Sequence, residues 1–208
     1  MELENPNVYL KSLETMLKTM AGRKLQDESE MKNLSYIIAK QKMKSMLSWI
    51  DDFLESGKKL VVFNHHQKIG EELFDTYSKV AVRLYGLTPM EERQLLVDKF
   101  QKDSKVKLFI GNIQAAGMGL TLTAADTVAF AEFPWTPGAL VQASDRVHRI
   151  GQENPVDIFY LVGLDTFEEK VVKLLADKAK IINAVLYGQC YNNDTSVLDE
   201  ILNLIKTG

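Results

Sequence analysis

Between Leu60 and Val162 the chain alternates short apolar runs with stretches of helical periodicity. Leu60-Val61-Val62-Phe63 and Val106-Lys107-Leu108-Phe109-Ile110 are the clearest runs, and Lys79–Leu84, Thr127–Ala131 and Val156–Val162 complete a set of five candidate strands. An unbroken apolar run suits a strand covered on both faces, the usual position in a parallel sheet. Gln67–Tyr77 reads as a helix, and a second helix follows Thr88-Pro89, running to about Gln101. There Thr88 is the candidate N-cap, Pro89 takes the first helical position, and Glu91 completes a capping box. Leu95, Leu96, Val97 and Phe100 form its inward face. Strands alternating with helices predict an α/β fold with a doubly wound, mainly parallel sheet.

The flanks read as helical. Val8, Leu10, Leu13, Met16, Leu17 and Met20 recur at helical spacing before a stop at Ala21-Gly22, and Gln26–Glu30 reads as a polar loop. A second helix is expected from about Met31 to Glu55, with Met43, Met46, Leu47, Ile50, Phe53 and Leu54 as its buried stripe. Lys32, Lys40, Lys42 and Lys44 read as its solvated face. Beyond Gly163, a helix is expected from Phe167 to about Tyr187 and a short amphipathic one over Val197–Ile205. This divides the chain into a helical lead-in (1–56), a central α/β domain (57–163) and a C-terminal helical part (164–208).

A chain of 208 residues suffices for one full domain with a sizeable core. The single Cys190 excludes an internal disulfide framework. No apolar run approaches the roughly 20 residues that span a bilayer, and no signal-peptide pattern opens the chain. An intracellular protein is therefore expected. The net charge of −3 weighs mildly against non-specific nucleic-acid binding, although it leaves room for a local basic track.

The chemistry concentrates in Gly111–Gln152. The reading is a glycine-bearing loop to Thr123, the strand at Thr127–Ala131, an aromatic-proline turn at Phe133–Pro137, and a helix holding Gln142, Asp145, Arg146, His148 and Arg149. Two arginines three apart on a helix share a face, and their planar forks suit phosphate. Gly117 and Gly119 permit positive φ and close approach of backbone to an anion. His65 and His66 are adjacent and no Cys or third His stands at ligand spacing, so no metal site is expected. Asp27-Glu28-Ser29-Glu30 follows Gly22-Arg23-Lys24-Leu25-Gln26 instead of a buried strand, and reads as an acidic loop rather than a magnesium-holding box. There is no G-x-x-x-x-G-K-[ST] phosphate loop.

Four ordered blocks carry a family resemblance. Gln142–Gln152 (QASDRVHRIGQ) resembles motif VI of the Swi/Snf-type ATP-dependent DNA translocases of helicase superfamily two. Gly117–Asp126 resembles their motif V. Pro134–Pro137 resembles the next block, with Thr136 where Asn is more usual. Val62–His66 resembles motif IV, with the paired histidines typical of the annealing-helicase branch. The resemblance runs over about residues 58–187. It implies a RecA-like three-layer domain with a mainly parallel sheet and helical N- and C-terminal extensions, the second lobe of a two-lobed motor.

For the site, the resemblance implies that Arg146 and Arg149 face ATP bound on the other lobe, with Gln142 helping to hold the site. Gly117, Gly119 and Asp145 would lie on the nucleotide side. His65, His66, Gly86, Thr88, Asn112, Gln114, Thr121 and Trp135 would lie along DNA. Two departures weaken the carry-over: Tyr85 and Leu87 alter a phosphate-gripping D-G-S/T element, and Gln114 stands where a basic residue is frequent. The implied function is half of a DNA-dependent ATPase that translocates on or remodels double-stranded or branched DNA. ATP and Mg²⁺ would be held mainly by an N-terminal RecA-like lobe, supplied in cis or trans and absent from this chain, so the chain alone would be inactive. The expected compartment is prokaryotic cytoplasm or a eukaryotic nucleus. The alternatives are a non-enzymatic DNA- or partner-binding module, or an RNA helicase lobe. RNA-directed relatives favour Q-x-x-G-R-x-G-R over the form found here.

Overall fold

The structure, a computed structural model, describes residues 1–20, 28–116, 119–133 and 137–174. Among these, five strands form one parallel sheet in the order β2-β3-β1-β4-β5. They are β1 (Leu60–Asn64), β2 (Ala81–Leu84), β3 (Leu108–Asn112), β4 (Thr127–Phe130) and β5 (Asp157–Tyr160). β1 is central, with Val62 opposite Ile110 of β3 on one side and Ala129 of β4 on the other. Every residue of β1 is buried, as its unbroken apolar run requires, whereas β5 is an exposed edge. Phe63 stacks on Phe130 and Phe130 on Tyr160, carrying an aromatic row from β1 to β5. Gly111 makes room for that packing, since a Cβ there would sit 3.1 Å from the Phe63 ring. No helix among the described residues is long and apolar enough to cross a membrane.

The connections are α4 (Gln67–Tyr77) after β1, α5 (Met90–Lys102) after β2, α6 (Ile113–Ala116) after β3 and α7 (Pro137–Ser144) after β4. The alternating pattern expected from sequence is therefore present, with strand ends displaced by up to two residues. The cap of α5 differs. Pro89, with no side-chain cap, takes the N-cap position, and the capping box does not form. The Thr88 hydroxyl is committed backwards, accepting from the Tyr85 N–H at 3.1 Å. The stretch after Gly111 is likewise not all loop: Gly111 and Asn112 finish β3 and α6 follows directly.

The N-terminal helices are α1 (Pro6–Met20), α2 (Glu28–Gln41) and α3 (Met43–Glu55). The helix expected in one piece over Met31–Glu55 is thus two, and Glu28–Glu30, expected as loop, begins α2. The break has a long-range cause. The Gln41 carbonyl accepts from the Glu4 N–H at 2.8 Å, and the Gln41 side-chain oxygen accepts from the Asn5 N–H at 2.8 Å. The chain divides into two compact units there. One is built mainly from Met43–Pro134 and Gly138–Leu161, the other from Met1–Lys42 and the described residues after Val162.

Within the second of these units, Lys42 does not belong to a solvated face. It is fully buried, and its ammonium lies 2.7 Å from Glu168 Oε2, which also accepts the Gly163 N–H at 2.8 Å. The partner stands 126 residues away, beyond the reach of any periodicity argument. Tyr9 accepts the Phe167 N–H at 3.0 Å, and burial raises its hydroxyl pKa. Residues 167–174 are helical, matching the start of the expected helix, while its remainder and Val197–Ile205 lie outside the described residues.

Candidate functional site

A parallel sheet whose central strand has neighbours leading in opposite directions opens a crevice at the strands' carboxyl ends, where α/β proteins place ligand chemistry. His65 and His66 leave β1 there, Gly86 and Thr88 follow β2, Asn112 ends β3 with Gln114 just beyond it, and Glu132 follows β4. The sheet therefore brings these sequence-distant residues to one edge. Gly117 and Trp135 lie outside the described residues.

The β1 exit is fixed by three side chains. Glu132 is fully buried, and its Oε2 accepts the backbone N–H of both His65 and His66 at 2.9 Å. Its Oε1 bonds the His66 ring at Nδ1. The Asn112 amide donates to the His65 carbonyl at 2.6 Å, and the Asn64 amide donates to the His66 carbonyl at 2.8 Å. Asn112 Oδ1 also accepts the Gln114 N–H at 2.9 Å, tying the start of α6 to the same knot, while the Gln114 side chain is exposed. Sequence reasoning missed Glu132. Its only signal is an acid set directly after a buried apolar strand, and the identity of its partner depends on strand order.

The loop after β2 closes on itself. Thr88 is buried, and Arg93 donates to the carbonyls of Thr88 at 2.8 Å and Gly86 at 3.0 Å. Gly86 is exposed on that turn.

The arginine motif differs from the expected helix. α7 stops at Ser144, and residues 145–151 form successive turns. The physical reason is the Arg146 carbonyl, which accepts the Leu122 N–H at 2.8 Å and so bonds the motif V loop. Arg146 and Arg149 consequently do not share a helix face. Arg149 is exposed, and its Nη1 donates to the carbonyls of Gly119 at 2.8 Å and Leu120 at 3.1 Å and to Thr121 Oγ1 at 3.0 Å. Gly119 adopts φ +78°, a left-handed conformation that glycine permits without strain. Arg146 is 91% buried by contrast, and its Nε is buried with no hydrogen-bond partner among the described residues. Asp145 and Gln142 are exposed, and neither pairs with these arginines among the described residues. His148 is exposed, with its backbone N–H bonded to the Ser144 carbonyl at 3.0 Å.

Below this point two glutamines hold the rest of the motif V loop. Gln152 Nε2 donates to the carbonyls of Thr123 at 3.2 Å and Ala125 at 2.6 Å, and Gln101 bonds Thr123 and Ala124. Asp126 closes the loop against Lys58 at 3.0 Å. Burial pushes its carboxyl up, but the hydrogen bonds from Lys58 and Thr127 outweigh that and hold it below the usual aspartate range. Lys59 and Lys107, on the same cleft, donate to helix-end carbonyls, Lys59 to Asp103 at 2.8 Å and Lys107 to Gly57 at 2.7 Å. No group of three or more His, Cys, Asp or Glu able to hold a metal occurs among the described residues.

Against known proteins, the profile of the helicase conserved C-terminal domain matches residues 41–151. The chain is 43% identical over 148 residues to the SWI/SNF-related matrix-associated actin-dependent regulator of chromatin subfamily A-like protein 1 of Xenopus tropicalis, a match covering 69% of this chain and 16% of that protein. It is 42% identical over 135 residues to the DNA annealing helicase and endonuclease ZRANB3 of Mus musculus, covering 63% of this chain and 12% of that one. The match thus takes in less than a fifth of either relative. Among solved structures, the SWI2/SNF2 ATPase core of Sulfolobus solfataricus in complex with double-stranded DNA superimposes with a TM-score of 0.69 at 25% identity, covering 88% of this chain and 43% of that one. The sheet, its crossovers and the ordered motifs agree with these matches, and the chain belongs to the helicase conserved C-terminal domain family, as a RecA-like C-terminal lobe of the Swi/Snf type.

Proposed function

We propose that the chain is the second motor lobe of a DNA-dependent ATPase that translocates on or remodels double-stranded DNA, and that it supplies Arg146, seconded by Arg149, to ATP bound on an N-terminal lobe. The supporting observation is the buried Arg146 Nε without a partner among the described residues. A guanidinium cannot shed its charge, so burying one without an anion is costly. Phosphoryl oxygens carrying negative charge satisfy that need, and the donor geometry of arginine matches them. Magnesium, when bound with the nucleotide on the other lobe, would neutralise phosphate charge. The part of this chain is to place a fixed positive charge where charge develops on the phosphoryl group.

Arg149 has a second role in this reading. Its Nη1 grips the Gly119–Thr121 loop, which by resemblance touches both the DNA backbone and the nucleotide side. Its exposed side remains in position to meet the nucleotide, so one guanidinium joins the two ligands. His65, His66, Gly86, Thr88, Asn112, Gln114, Thr121 and Trp135 belong to the proposed DNA track. Asn112 and Thr88 serve it by shaping the backbone, since their side chains bond internally. Gln142 and Asp145, both exposed, border the nucleotide side with Gly117 and Gly119. Residues 1–56 and 164–208 are proposed as helical extensions flanking the lobe at 57–163.

The test is ATP turnover by this chain, by a separately produced N-terminal lobe and by their mixture, each with and without duplex DNA. Turnover only in the mixture, stimulated by duplex DNA, is expected. Turnover by this chain alone would refute the assignment. Silence in the mixture with duplex binding retained would instead favour a non-enzymatic DNA-binding module.

A further inference from the structure

The amino ends of the strands, opposite the crevice described above, carry charge that the motor reading does not use. Lys59 directly precedes β1 and Lys107 directly precedes β3, and the pairing of Leu60 with Leu108 sets the two side by side. Asp126 precedes β4, on the other side of β1. With Lys58, Thr123 and Gln152 they line a cleft of about 290 Å³, within the unit built from Met43–Pro134 and Gly138–Leu161. Asp126 is the only acid in that lining against three lysines, in a chain whose net charge is −3.

The acceptors at this cleft are already taken. Lys59 donates to the Phe100 and Asp103 carbonyls, Lys107 to the Gly57 carbonyl, and Gln152 to the carbonyls of Thr123 and Ala125. The donors are not used up. An ammonium group has three protons, and Lys107 and Lys58 each commit one among the described residues, to Gly57 and to Asp126. The Thr123 hydroxyl accepts from Gln101, which leaves its own proton to give. Carbonyls satisfy these lysines without neutralising them. Burial and then the charge of Lys107 lower the Lys59 pKa, and Asp103 offsets only part of this. An added negative charge would relieve the crowding.

We propose that this cleft binds a small phosphate-type anion, held by Lys107, Lys58 and the Thr123 hydroxyl. A phosphate monoester carries about −1.5 to −2 charges at pH 7, which matches the surplus of lysine over aspartate. Through Thr123 and Gln152 the occupant meets the tail of the motif V loop, whose head is held by Arg149. The site stands or falls independently of the motor reading.

The test is titration of this chain with inorganic phosphate, followed by ¹H–¹⁵N spectra at constant ionic strength set with potassium chloride. Saturating shifts are expected at Lys58, Lys107, Thr123 and Asp126. Lys107→Met should weaken binding about tenfold, the loss of one charge-assisted hydrogen bond. Asp126→Asn should tighten it about threefold, because it removes a like charge and releases Lys58. Lys68→Met changes the net charge as Lys107→Met does, but at an exposed position in the first turn of α4, and should leave the affinity unchanged. Glycerol 3-phosphate separates the sources: tighter binding than inorganic phosphate identifies a phosphate ester as the occupant, and weaker binding the free ion.

Shifts that drift without saturating would mean adventitious ion association and overturn the proposal. So would equal losses in Lys68→Met and Lys107→Met, or the same cleft shifts produced by a duplex oligonucleotide and not by phosphate. If Lys107→Met fails to fold, Asp126→Asn decides by its sign, since unchanged or weaker binding there contradicts the site.

Discussion

Arg149 Nη1 lies 3.0 Å from Thr121 Oγ1, and the same nitrogen reaches the carbonyls of Gly119 and Leu120. One side chain of the arginine motif thereby closes the upper part of the motif V loop. Leu122 is held separately, through the Arg146 backbone carbonyl at 2.8 Å.

Arg149→Ala should release the first part of that loop and leave the second. Chemical-shift changes are expected to be confined to Gly119–Thr121, whose carbonyls and hydroxyl lose their donor, while hydrogen exchange shows the Leu122 amide still protected. Global stability should fall by about 1 kcal/mol, because the freed carbonyls can be hydrated. Equal deprotection of Leu122 would mean that the two segments open together.

Arg146 should show a trade of stability against function. Its buried Nε has no partner among the described residues, so Arg146→Met removes an uncompensated desolvation cost and keeps most of the side-chain volume. Urea unfolding is expected to show stability unchanged or raised by about 1–3 kcal/mol. A loss beyond about 2 kcal/mol would assign Arg146 a structural role.

Gly70→Ala should destabilise, against the ordinary helix preference for alanine of about 1 kcal/mol. A Cβ at Gly70 would stand 2.9 Å from both Nδ2 and Oδ1 of Asn64, whose amide holds the His66 carbonyl. Relief requires moving a buried side chain out of its bond, at a cost of about 1–3 kcal/mol. Thermal unfolding checks the sign, since a higher Tm would show that Asn64 yields freely.

The local features of the fold were legible in the residues, and the non-local ones were not. β1, β3 and β4 each begin within two residues of where their apolar runs place them. The arginine helix ends early because the Arg146 carbonyl bonds Leu122, 24 residues upstream. Lys42 looks like one lysine among four until Glu168 arrives from far along the chain. Glu132 carries no motif of its own, and its role exists only because β4 pairs beside β1. Residue types reveal candidates for chemistry, whereas the order of strands decides which of them meet.

The Lys58–Asp126 pair ties the loop's far end and gives a pH dependence. The Asp126 carboxyl is held below its ordinary value, so it contributes stability above the unfolded-state pKa of about 3.9 and loses it as pH falls through the folded value. Lys58 is more than half exposed, so solvent screening limits the pair to about 1 kcal/mol or less. Unfolding free energies of wild type and Asp126→Asn should differ near pH 6, and the gap should close as pH falls below the unfolded-state pKa and through the lower folded one. A constant gap would place the effect elsewhere.

The central claim is that Arg146 acts on the nucleotide of the other lobe. It is tested most directly by ATP hydrolysis in the reconstituted two-lobe motor with saturating duplex DNA, comparing wild type with Arg146→Ala. A fall in kcat of about 10³-fold with little change in the KM for ATP is predicted, the signature of charge supplied in the transition state. A kcat within a few-fold of wild type would contradict the account.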